Sequence, residues 1–64
     1  MDNIRINDEL FVRVKAYAKE NGQIRIGYIQ RDFSIGYLKA KYIFDRLIAE
    51  GIGKTNEEGI LIVH

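Results

Sequence analysis

The chain has no cysteine and no proline, and it carries a single histidine. Without cysteine, neither a disulfide framework nor a thiolate metal site can support the fold. His64 alone, with no cysteine to join it, does not make a conventional zinc site. The lack of proline leaves no proline-rich linker, and there are no internal repeats or low-complexity tracts. No apolar run approaches the ~18 residues of a membrane span. The opening Met1-Asp2-Asn3-Ile4 lacks the basic start and apolar stretch of a signal peptide. These absences read as a cytoplasmic chain without membrane contact, and the missing cysteine fits a reducing compartment. The 64 residues read as one domain, 1–64, with residues 1–6 loosely ordered. So short a chain buries only ~60% of its unfolded surface, and its core has to come from Ile, Leu, Val, Phe and Tyr.

Catalytic constellations are missing as well. The glycines form neither a phosphate-binding loop nor a dinucleotide fingerprint, and no Walker motif is present. Ser34 has no histidine near it in sequence and stands where a helix cap is expected. Asp8-Glu9 and Glu57-Glu58 are adjacent charges on a helix start and a loop tip. The chain reads as a non-enzyme without cofactor or metal.

What the sequence does hold is an uneven charge distribution. The formal net charge is +1. Residues 23–46 carry Arg25, Arg31, Lys39, Lys41 and Arg46 against Asp32 and Asp45, a net +3, and the remainder nets −2. A basic middle between acidic ends suits one anion-facing side. Charge alone does not separate that reading from scatter in a short chain.

Periodicity supplies the elements. Asp8 suits an N-cap, and Glu9 suits the positive end of a helix. Leu10, Phe11, Val14, Tyr17 and Ala18 then recur at three- and four-residue steps, which predicts a helix over 8–21. Gly22 ends it in a left-handed C′ position. Gln23–Ile26 alternates and is β-branched, the pattern of a strand. A short helix over 27–33 follows, with Ile29 and Phe33 four apart. Ser34-Ile35-Gly36 forms a corner, with Ser34 as the cap of the next element. A third helix over 36–50 carries one apolar stripe of Ala40, Ile43, Phe44 and Leu47, with Ile48 at its edge. Gly51 stops it. Residues 52–54 and 60–63 read as strands joined by a loop that Gly59 closes. The order is helix, strand, helix, helix, strand, strand. That is an α+β winged helix-turn-helix: three helices with a small three-stranded antiparallel sheet, in which the corner is the turn and the last hairpin is the wing.

In a helix-turn-helix the second helix presents its N-terminal residues to base edges in the major groove. Opposite the core stripe, the third helix carries Leu38, Lys39, Lys41, Tyr42, Asp45, Arg46 and Ala49. Lys39 and Lys41 suit phosphates or guanine O6 and N7. Tyr42 suits a phosphate, a sugar or a thymine methyl group, and Asp45 suits a cytosine amino group. Gln30 and Arg31, on the preceding helix, are placed to reach the DNA backbone or an adenine. The same face also reads as a protein-docking surface without DNA binding, because Leu38 and Tyr42 are two apolar-bodied residues four apart and an interface centred on tyrosine is common.

The stretch IQRDFSIGYLKAKYIFDRLIAEGIGK, Ile29 to Lys54, resembles the C-terminal gamma domain of FtsK/SpoIIIE DNA translocases. The likeness rests on Gln30, Arg31, Phe33, Ile35-Gly36-Tyr37, Ala40, Asp45 and Ala49-Glu50-Gly51-Ile52. Asp8-Glu9-Leu10-Phe11 is similar to the start of that family's first helix. The resemblance implies a winged helix that reads short polar sequences in double-stranded DNA and orients a separate hexameric motor. It also implies contact with a recombinase, XerD in the bacterial FtsK case. Its recognition positions fall on Leu38, Lys39, Lys41, Tyr42 and Asp45. This sequence departs from the family at four of them, where Asn, Arg, Ala and Arg are usual in that order. Leu38 cannot hydrogen-bond a base, and Tyr42 cannot clamp guanine bidentately as arginine does. Glu57 and Glu58 put like charge opposite phosphate in the wing. Tandem copies or a homo-oligomer would add affinity to so few phosphate contacts.

Overall fold

The computed structural model describes residues 8–64, Asp8 by its backbone only. Helix α1 (Asp8–Asn21) leads into strand β1 (Gln23–Ile24), helices α2 (Ile26–Phe33) and α3 (Tyr37–Ala49), and strands β2 (Gly53–Thr55) and β3 (Leu61–Val63). This is the winged-helix order. The start of the chain and the capping role read for the Asp8 side chain lie outside the described residues.

The core forms where the helical stripes meet. From α1 come Phe11, Val14 and Ala18, and from α3 come Ala40, Ile43, Phe44 and Leu47; all are buried. Ile24, Ile29 and Leu61 complete the cluster, with Leu10, Tyr17, Ile26 and Phe33 packed around it. Each fully buried aliphatic side chain contributes ~1.5–3 kcal/mol. Tyr17 and Phe33 meet edge to face, ring centroids 5.5 Å apart, joining α1 to the end of α2. Lys15 Nζ donates to Glu50 Oε1 at 2.7 Å, linking α1 to the residue after α3. The pair is partly exposed, so it adds at most ~1 kcal/mol.

The sheet order is β1-β3-β2, both pairs antiparallel. Strand β1 is shorter than the 23–26 expected from alternation. Gln23 pairs with Ile62 and Ile24 with Leu61, so the next partner would be Ile60. The Ile60 carbonyl faces the β2 side and accepts the Asn56 N–H at 2.9 Å inside the wing. Arg25 is extended but unpaired (φ −137, ψ 161). Its carbonyl accepts the N–H groups of Tyr28 and Ile29, and α2 begins at Ile26 rather than at residue 27. Ile26 packs against the core three residues before the buried Ile29, and burial decides over β-propensity.

The other differences are small. Helix α3 occupies 37–49 rather than 36–50, because Gly36 is its extended N-cap and Glu50 its C-cap. Strands β2 and β3 occupy 53–55 and 61–63 rather than 52–54 and 60–63. Ser34 does not cap α3. It is the C-cap of α2, in the left-handed region at φ 54, ψ 48, and its N–H donates to the Gln30 carbonyl. The Ile35 N–H donates to that same carbonyl at 3.2 Å. Two bonds on one oxygen close the turn.

The wing is built by Asn56. Its Oδ1 accepts from the N–H of Glu58 at 2.9 Å and of Ile60 at 3.0 Å. Gly59, at φ 80, donates its N–H to the Asn56 carbonyl. At the base of the wing, a Cβ on Gly53 would run into the Ile62 carbonyl and the Val63 Cα, so strand β2 lies against β3 at a distance only glycine permits.

Candidate nucleic-acid interface

The corner at residues 34–36 sets the start of α3 beside the end of α2. Because Ala40, Ile43, Phe44 and Leu47 point inward, the opposite side of α3 is left to solvent. Leu38, Tyr42, Asp45 and Ala49 succeed one another there at steps of four, three and four, forming one exposed ridge. Leu38 is 76% exposed and Tyr42 54%. At ~100° per residue, Lys39 and Lys41 fall on opposite flanks of this ridge. A groove of about 750 Å³ opens beside it, lined by residues 34–39 and Tyr42.

The eight candidate residues do not act as one cluster. Leu38, Lys39 and Tyr42 share the groove wall. Lys41 and Asp45 form an ion pair, Nζ to Oδ2 2.9 Å, along the other flank. The Asp45 carboxylate beside it raises the Lys41 pKa, so the ammonium stays charged. The pairing also softens the repulsion that Asp45 would offer a phosphate. Arg46 is half-buried, its guanidinium 4.1 Å from the Phe11 ring centroid. It is therefore turned toward α1 and not out along the ridge, a correction to the face read from periodicity. The phase of Arg46 at the edge of the core stripe, combined with a long aliphatic stem, lets it cover Phe11.

On α2, Gln30 is half-buried and its carbonyl holds the turn. The exposed Arg31 donates from Nε to Asp32 Oδ1 at 3.0 Å. The Tyr17 hydroxyl donates to the other Asp32 oxygen. Those two donors, Arg31 first, hold the Asp32 carboxyl below its usual range. The same carboxylate pushes the Tyr17 hydroxyl up and the Arg31 guanidinium up. Arg31 also lies over the Tyr28 ring at 5.1 Å, and Arg25 over the same ring at 5.5 Å. Arg25 and Tyr37 lie outside the set of DNA contacts that the sequence suggests. Tyr37, 52% exposed, lines the groove; its signal was its position one step off the core stripe. Arg25 sat inside an apparent strand, which hid its place at the head of α2.

No helix among the described residues is long and apolar enough to cross a membrane. The family model of the FtsK gamma domain matches residues 5–59. The chain belongs to the FtsK gamma family. No curated protein and no solved structure matched it. In this FtsK gamma domain the motif residues divide by exposure. Ala40 is buried, Phe33, Ile35 and Ile52 pack against the core, and Gly51 takes φ 74 after α3. These are scaffold positions. Leu38, Lys39, Lys41 and Tyr42 are exposed, as are the motif residues Arg31, Tyr37, Asp45, Ala49 and Glu50.

Proposed function

We propose that this FtsK gamma domain binds double-stranded DNA, with α3 in the major groove. The observation that carries the reading is the exposed ridge of α3: Leu38 and Tyr42 stand out beside the corner groove, with a lysine on each flank. An α-helix fits the major groove with base edges on its floor and phosphates on its two walls, and this face has cations where those walls would stand. Lys39 has no hydrogen bond or ion pair among the described residues and is the principal phosphate contact. Lys41 contributes with its charge shared by Asp45. Arg31 and Gln30 meet the backbone from α2. Arg46 acts at the margin, through its packing on Phe11. By family, the domain serves a cytoplasmic DNA translocase in chromosome segregation, orienting a motor and meeting a recombinase; more than one copy acts on the DNA together.

Fluorescence anisotropy of labelled duplexes at low salt tests this. Binding should weaken with salt, and each phosphate contact contributes ~0.9 to the log–log slope. Lys39→Ala should lower that slope by ~1, and Lys41→Ala by less. Absence of binding to any duplex at low salt refutes the reading.

The same ridge favours a second reading. An exposed leucine and tyrosine four apart, with Glu57 and Glu58 in the wing, suit a protein partner that covers α3. Sedimentation distinguishes the two: a stable self-complex lost in Leu38→Ala supports protein docking, and a monomer that binds duplex supports the first reading.

A further inference from the structure

We propose that Leu38 is a specificity-determining residue that recognises the C5 methyl group of thymine. The inference deepens the DNA-binding reading above and rests on it. Leu38 lies in the first turn of α3 and is the most exposed of the large hydrophobic side chains among the described residues. It touches no core residue closely enough to be covered, and it shares its groove wall with Tyr37 and Tyr42. A hydrocarbon side chain offers base edges neither donor nor acceptor. Among the groups that tell the base pairs apart in the major groove, the thymine methyl is the one apolar group of side-chain size. A leucine facing any other base edge would strip water from a polar atom without replacing its hydrogen bond, which is unfavourable.

Charge placement points to the same occupant. Lys39 and Lys41 flank the ridge on both sides, so negative charge is matched beside Leu38 and an apolar group at its tip. The walls and floor of a thymine-containing major groove have that distribution. Asp45, further along the ridge, is held by Lys41 and leaves the neighbourhood of Leu38 without a carboxylate. Tyr42, one turn on, carries a hydroxyl that suits a phosphate or sugar edge, while Leu38 has no polar alternative. Contact with thymine is therefore assigned to Leu38 and not to Tyr42.

The experiment starts from the tightest duplex that the full chain selects from a random pool. Each thymine in it is replaced in turn by deoxyuridine, which removes the methyl and nothing else. At one or two steps, affinity should fall ~3- to 5-fold, the effect of one methyl group leaving an apolar contact. Leu38→Ala should bind the thymine and deoxyuridine duplexes equally, while Tyr42→Ala keeps the difference. Leu38 is exposed, so circular dichroism and the melting midpoint should show Leu38→Ala folded. Equal affinity of the wild type for every thymine and deoxyuridine pair overturns the assignment while duplex binding stands. So does a selected duplex without thymine, or a methyl effect that disappears in Tyr42→Ala and persists in Leu38→Ala. Absence of duplex binding overturns both this inference and the function it rests on.

Discussion

At the residue scale, Ser34 carries the sharpest local demand. A non-glycine residue in the left-handed region costs ~1–2 kcal/mol, and Ser34 takes it so that two N–H groups can converge on the Gln30 carbonyl. Ser34→Gly relieves that cost, partly offset by the larger chain entropy of glycine. A gain of up to ~1 kcal/mol is expected in thermal or urea unfolding. Ser34→Val, β-branched in the same conformation, should lose ~1–2 kcal/mol. An unchanged midpoint in both variants would show that the corner relaxes away from this conformation. Asp32 and Glu50 set the acid side of stability. Both have folded pKa values lowered from their usual 3.8 and 4.5, Asp32 by the bonds from Arg31 and Tyr17, Glu50 by the bond from Lys15. A lowered carboxyl pKa contributes stability above the unfolded value that is lost as pH falls through the folded one. Unfolding followed from pH 6 downward should therefore show stability declining from about pH 4.5, and Asp32→Asn with Lys15→Met should flatten that decline. The exposure of both carboxyls keeps the effect small.

Elements depend on fewer residues than their lengths suggest. Strand β2 exists because Gly53 lets its backbone lie against Ile62 and Val63. Gly53→Ala sets a Cβ against main chain that has no flexible end to move, and a loss of more than ~2 kcal/mol is expected. Hydrogen exchange should show the loss first in the β2–β3 pairing, and intact protection there would contradict the close approach. Helix α3 is held by its buried stripe. Leu47→Ala, at a fully buried position, should cost ~2–5 kcal/mol. A 64-residue fold has ~3–10 kcal/mol in total, so that single variant removes a large share of it and should lower the melting midpoint by ~8 °C or more in circular dichroism. Leu38→Ala, one helix face away, should leave the melting midpoint within ~0.5 kcal/mol of wild type. The contrast between those two leucines separates scaffold from reading surface.

For the whole molecule, ion pairing limits how strongly it can hold DNA. Of the five cations in residues 23–46, Lys41 pairs with Asp45, Arg31 with Asp32, and Arg46 covers Phe11. A single domain should accordingly show a log–log salt slope of only about −2 to −4, set by the few phosphates it neutralises. Two domains linked in tandem should gain affinity well beyond that of one, since the second contact becomes intramolecular. Titration of the single and tandem forms at several salt concentrations checks both values together.

The chain's own pattern determined the helical stripes, the glycine stops, the strand–loop–strand ending and the motif that places it with FtsK gamma domains. Hydrophobic periodicity is local, and left-handed glycines announce themselves in sequence. Ala40, Ile43, Phe44 and Leu47 could be set inward from spacing alone, which left Leu38 and Tyr42 outward by geometry. Tertiary structure alone decided where β1 ends, because Ile26 packs against the core and opens α2 there. It also decided that Ser34 closes α2 rather than opening α3, that Gly53 lies against β3, and which cations are already engaged. Arg46 and Lys39 have the same charge and nearly the same phase on the helix, yet one packs over Phe11 and the other faces solvent. That difference comes from what α1 presents to each of them, which no pattern along α3 contains.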